Sequence, residues 1–127
     1  MVRQDIYVRG YWKVVVFYNL DYHLFGSVVK EFKKYGTPNS IIKDIYRSMR
    51  SGYARACTYS DEDKHISIVL FNRHTSVGDY FNSIVHEAVH VKQAMLRSYH
   101  VEDEGEPPAY TMGYLVGRMF EVFKYII

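Results

Sequence analysis

Two histidines in the run Ile84-Val85-His86-Glu87-Ala88-Val89-His90-Val91 stand four residues apart, with a glutamate directly after the first. On an α-helix, residues at this spacing differ by roughly 40° in azimuth, so His86 and His90 leave one face a single turn apart. Their imidazoles then converge, and each can reach one zinc ion at about 2.0–2.1 Å. Glu87, one residue along, cannot share that ion comfortably. It can reach a water on the ion, where hydrolysis needs a general base. Shuffling a chain of this composition produces the five-residue pattern roughly one or two times in a hundred. Ile84, Val85, Ala88, Val89 and Val91 surround the trio with uncharged side chains, as a buried metal-bearing helix requires. Ionisable groups in that setting cost several kcal/mol, by order of magnitude, unless paired or metal-bound.

A catalytic zinc takes three protein ligands and leaves a fourth position open. The acids after the motif are Glu102, Asp103, Glu104 and Glu106, with His100 as a further donor. Glu106 is the leading third ligand and Glu104 and Asp103 are its rivals. It stands where the last helix begins, and Ala109, Gly113 and Gly117 follow at near-fourfold spacing. Such a stripe of small side chains lets two helix axes approach closely, which would press the Glu106 end against the His86/His90 helix. At a helix start Glu106 also suits the positive end of the dipole. Tyr110, one turn further on, is the leading second donor to a developing oxyanion, ahead of Tyr114 and His100. The chain holds 13 tyrosines, so packing is the commoner role for any one of them. His65 and His74 read as ordinary strand and surface histidines. Cys57, the only cysteine, reads as a small half-buried strand residue; one sulfur excludes both an internal disulfide and a thiolate zinc cage.

The elements that must position these groups follow from periodicity. Tyr11 to Tyr18, dense in β-branched and aromatic types, predicts a buried strand. Asp21 can cap a helix whose apolar positions are Leu24, Val28, Phe32 and Tyr35, with Gly36 ending it. Thr37-Pro38 supplies an N-cap and a first-turn proline for a second helix, which has Ile41, Ile42, Ile45, Tyr46 and Met49 on its apolar face and Gly52 at its end. Strands over about Tyr53 to Tyr59 and Lys64 to Phe71 flank the turn Ser60-Asp61-Glu62-Asp63, which predicts an antiparallel hairpin. The alternation of Ile66, Ile68 and Leu70 predicts one buried face for the second of them. A long helix runs from about Ser76 to Ser98. A last one begins near Glu106-Pro107-Pro108, since paired prolines fit only a first turn. The expected fold is α+β: a small, mostly antiparallel three-stranded sheet packed on four helices, in the order β-α-α-β-β-α-α, forming one domain over 1–127.

With 127 residues, 48% of them apolar, the chain can build one real core. Sixteen basic and fourteen acidic residues give a formal charge of +2, and the basic residues are scattered, which argues against a nucleic-acid partner. No window approaches the ~20 apolar residues of a membrane span. The amino-terminal residues carry no secretory signal pattern, and a cytoplasmic setting is expected.

His86-Glu87-Ala88-Val89-His90, followed by Glu106-Pro107-Pro108-Ala109-Tyr110 and Gly113-Tyr114, resembles the compact zincin metallopeptidases with a downstream glutamate ligand. It is most similar to small peptidases of phages and mobile elements, over roughly Ser76 to Phe120. By position the resemblance implies one zinc held by His86, His90 and Glu106, with Glu87 as base, and a virion-associated location if the chain is phage-encoded. The prolines directly after Glu106 depart from an ordinary mid-helix ligand. The resemblance further implies Lys64 to Phe71 as the sheet edge that binds a peptide or protein substrate as an added strand. The other reading is a zinc-stabilised interaction module or accessory protein without catalysis.

Overall fold

The computed structural model describes residues 1–127, and its first strand is one the sequence reading leaves out. Val2–Val8 (β1) alternates, with Gln4, Ile6 and Val8 buried and Arg3 and Tyr7 exposed. Arg9 and Gly10 then take φ of 54° and 73°, the positive values a tight hairpin needs. The chain returns as Trp12–Tyr18 (β2), antiparallel to β1. After the two helices described below come Ala56–Asp61 (β3) and Ile66–Phe71 (β4), an antiparallel pair as expected. Their turn lies later than the sequence places it. Asp61 remains in β3, and its carboxylate accepts the backbone N–H groups of Asp63 and Lys64, each at 3.1 Å.

β2 and β4 pair in parallel, so the sheet is four-stranded and mixed, in the order β1-β2-β4-β3. That corrects the expected three-stranded sheet: the element order is β-β-α-α-β-β-α-α. It also corrects the expectation of one buried face for β4. All six residues of β4 are buried, because the strand is interior and helices cover both sides of the sheet. Val15, Phe17, Ile66, Ile68 and Leu70 face one core. Trp12, Val14, Val16, Tyr18, Val69 and Phe71 face the other. Each fully buried aliphatic or aromatic side chain contributes about 1.5–3 kcal/mol by area.

The first core is closed by Phe25–Lys34 (α1) and Asn39–Arg50 (α2), through Phe25, Val28, Phe32, Ile42 and Met49. Asp21 does cap, but it caps a single 3-10 turn, Tyr22–Leu24, that precedes α1; its carboxylate accepts the His23 N–H at 3.0 Å. Thr37 does not cap α2. Pro38 is extended (φ −59°, ψ 142°) and the helix begins one residue later, leaving the buried Thr37 hydroxyl without a partner.

The second core is closed by Val77–Ser98 (α3) and Glu106–Phe123 (α4). The Ser76 hydroxyl caps α3 by accepting the Asp79 N–H at 3.1 Å. Gly105, at φ 79° and ψ −153°, admits the chain to α4, whose first turn holds both prolines. α4 packs inward through Pro108, Leu115, Met119 and Phe123. The expected close approach along Ala109, Gly113 and Gly117 does not occur: all three are exposed, and a Cβ at Gly113 or Gly117 would meet nothing within 4 Å. The larger apolar side chains lie on the opposite face, and their burial sets the rotation of the helix.

The two edge strands differ. The Lys13 N–H donates to the His65 carbonyl, so β2 turns that residue towards β4, and its partner Tyr7 turns its own peptide groups outward. There the Tyr114 hydroxyl donates to the Tyr7 carbonyl at 3.0 Å. On β3 the bond from Asn72 N–H to the Arg55 carbonyl fixes the phase. By alternation Ala56, Thr58 and Ser60 direct their peptide groups away from β4.

Candidate metal centre

α3 is long enough to serve the core and a cleft at once. Ile84, Ala88, Val91 and Met95 face the interior, whereas His86 and His90, one turn apart, project beside β3. Their Nε2 atoms are 3.2 Å apart and their rings meet at 73°. In the metal-free pair one imidazole donates and the other accepts. Two nitrogens 3.2 Å apart, each ~2.05 Å from a common ion, subtend about 103° at it, near the tetrahedral value of about 109°. The pair therefore has the spacing of two ligands to one zinc.

Glu87 is 6% exposed, although the histidines beside it are open; the His86 side chain is 67% exposed. The expected uniformly buried setting for the trio is thus divided, because consecutive helix positions point about 100° apart. The Thr58 hydroxyl, on β3, donates to Glu87 Oε1 at 2.9 Å. Glu87 Oε2 lies 4.0 Å from His86 Nε2. Helix α3 and edge strand β3 thereby fix a carboxylate next to the imidazole pair.

These groups border a cleft of about 550 Å³ whose walls also include Asp44 and Ser48 of α2, Cys57 and Ser60 of β3, and Glu62 and Arg97. Glu62 accepts from Arg97 Nε at 3.2 Å, and the Ser98 hydroxyl donates to the Glu62 carbonyl at 2.9 Å. These two contacts tie the β3–β4 turn to the end of α3. Burial, and then the Glu87 carboxylate, push the Cys57 thiol up to about 11, so it stays protonated at neutral pH and is a poor nucleophile. Sequence reasoning did not find Thr58, Asp44 or Glu62 as cleft residues. Thr58 and Glu62 reach it because β3 is the edge strand beside α3, and Asp44 because α2 packs along the same edge from the other face of the sheet.

The remaining sequence candidates lie elsewhere. Glu106 is exposed, and its neighbour Pro107 borders a separate apolar cavity with Met95, Leu96 and Tyr99, at the far end of α3. Glu106 shares the solvent stripe of α4 with Tyr110 and Gly113, which follow it at helical spacing. Asp103 is paired with Lys92 at 2.9 Å; Glu104 and His100 are exposed. No group of three His, Cys, Asp or Glu side chains is gathered at metal-binding distance anywhere in the chain. The structure brings together His86, His90 and Glu87, and it does not bring Glu106 to them. Tyr110 is 67% exposed and borders a surface pocket with Val8 and Arg9, while Tyr114 is engaged at β1.

His65 stacks on Trp12 with centroids 5.4 Å apart. His74 stacks on Tyr80 at 4.4 Å and is held by the Asn72 carbonyl and the Ser83 hydroxyl. The strand expected to receive substrate, Lys64 to Phe71, is interior; the edge beside the candidate site is β3. No helix is long and apolar enough to cross a membrane. Comparison with protein-family models, curated proteins and solved structures finds no match.

Proposed function

We propose that the chain is a zinc-dependent metallopeptidase in which His86 and His90 hold the ion and Glu87 is the general base. The observation that carries this reading is the 3.2 Å separation of the two Nε2 atoms beside a nearly buried carboxylate. When bound, the ion supplies Lewis acidity, which activates water and polarises a carbonyl. Glu87 takes a proton at Oε2, the oxygen nearer His86, while Thr58 holds Oε1. The outward peptide groups of Ala56, Thr58 and Ser60 offer an extended substrate a strand to pair with, at the mouth of the same cleft. A third protein ligand must move to the pair; Glu62 and Asp44 already border the cleft.

A second reading, a zinc-binding interaction module without catalysis, draws on one observation: no third ligand is gathered. One experiment separates the two. The parent protein is expected to bind one equivalent of zinc, Glu87→Gln to keep it, and His90→Ala to lose most of it. Glu87→Gln is also expected to lower hydrolysis of an unstructured casein by about 10²–10⁴-fold. Zinc retained in His90→Ala would overturn the metal site. Casein cleavage undiminished in Glu87→Gln would overturn the assigned base.

A further inference from the structure

On the far side of α2 from the candidate metal centre lies a second cavity, of about 520 Å³, bordered by Asp21, Tyr22, His23, Tyr46, Arg50 and Arg73. Arg3, Arg55, Arg97 and Arg118 each have a carboxylate partner within 4.0 Å. Arg9, Arg47, Arg50 and Arg73 have none, and the last two of these border this cavity, which contains a single carboxylate, Asp21. The Asp21 carboxylate is already engaged by the His23 N–H.

The wall beneath Arg50 is rigid. The Tyr22 hydroxyl donates to Asn72 Oδ1 at 2.5 Å, and the Asn72 amide donates to the carbonyls of Met49 (3.0 Å) and Ala54 (3.2 Å). The Tyr22 ring stacks on Phe25 and meets the edge of Tyr46, each with centroids 5.9 Å apart. The Arg50 guanidinium lies 4.9 Å above that ring. A cation–π contact fixes a guanidinium without neutralising it, so its donors stay free for an anion. Arg73 comes from a different element, the segment after β4, so arginines of two elements border the cavity.

We propose that this cavity binds a small organic phosphate of nucleotide size. Planar guanidinium forks match phosphate oxygens in pairs. The volume falls within the roughly 300–1,000 Å³ typical of small-molecule sites, well beyond what inorganic phosphate fills. The exposed flank of Tyr46 and the neighbouring Leu20 provide apolar surface for the organic portion. The inference is independent of the candidate metal centre, since the two cavities share no bordering residue.

Calorimetric titration of the full chain with AMP, inorganic phosphate and adenosine tests it. Saturable AMP binding is expected, tighter than phosphate, with adenosine weak. Arg50→Gln and Arg73→Gln each remove charge-assisted bonds and should weaken AMP by at least about tenfold, with circular dichroism unchanged. Asp21→Asn removes the opposing charge, keeps a side-chain oxygen for the His23 N–H, and should tighten AMP severalfold. Absence of saturable AMP binding, or equal affinity in the Arg50→Gln/Arg73→Gln double variant, would overturn the site. Phosphate binding as tightly as AMP would overturn the place given to the organic portion.

Discussion

Thr58 is the residue through which the sheet holds the catalytic candidate, and replacing it by valine isolates one interaction. The exchange keeps the β-branched shape that β3 favours and deletes only the hydroxyl, which is the one donor within hydrogen-bond reach of the Glu87 carboxylate. A hydrogen bond to a charged group is worth about 1.5–3 kcal/mol. Because both partners stand in a cleft wall that water reaches, the lower end applies, about 1.5 kcal/mol. For a chain of this size about 4 °C of Tm accompanies each kcal/mol, so Thr58→Val should melt roughly 6 °C below the parent. The second arm is a double-mutant cycle. In the Glu87→Gln background the bond lost is between neutral groups and the penalty should fall to about 0.5–1 kcal/mol. Urea unfolding followed by circular dichroism gives both legs. Zinc content should be unchanged, since Thr58 reaches no imidazole. If Thr58→Val melts within about 1 °C of the parent, or costs the same in both backgrounds, the hydroxyl does not hold the carboxylate.

Further outcomes follow from the interior. Tyr80→Phe removes a hydroxyl that donates to Asn19 Oδ1 at 2.9 Å and accepts the Asn19 N–H at 3.2 Å. Asn19 is buried and sits at φ 54°, so the orphaned N–H should cost about 1–3 kcal/mol in urea unfolding, and an unchanged midpoint would refute its dependence on Tyr80. Burial holds His74 below its ordinary value of 6.5, against the opposing pull of the Asn72 carbonyl. The unfolded chain therefore takes the proton first, so this contribution is intact above 6.5 and is lost as pH falls through the lower folded value. His74→Gln should show a smaller loss of stability than the parent between about pH 7.5 and pH 5.5; parallel curves would refute that.

The parts of the fold with strong local signals were legible. Ser76 before a long apolar period and paired prolines after Gly105 mark α3 and α4 as observed. β1 was not, because Arg3, Gln4 and Asp5 dilute its apolar content below what a composition reading detects. Its signal is the alternation of Val2, Gln4, Ile6 and Val8, together with the turn at Arg9-Gly10. Gln4 occupies an inward position only because the Tyr18 hydroxyl and the Arg118 carbonyl satisfy its amide there, and such partners are not readable from sequence. At the candidate site, spacing sufficed for His86, Glu87 and His90, which lie within one helix. Glu106 depended on how α4 rolls about its own axis. That rotation is decided by where Leu115, Met119 and Phe123 bury, and the glycine spacing had little bearing on it.

The hydroxyl of Tyr114 on the Tyr7 carbonyl has a consequence for self-association. With the charged side chains of Arg3 and Asp5 also on that margin, β1 is guarded against a further strand, and β3 is the unguarded edge. A molecule with a single joinable margin cannot grow a fibre by strand addition: two copies meeting β3 to β3 complete a two-fold pair and leave nothing to extend. Such a pair would bury the groove beside His86 and His90. High protein concentration and occupancy of that groove by another chain would then compete for the same row of amides.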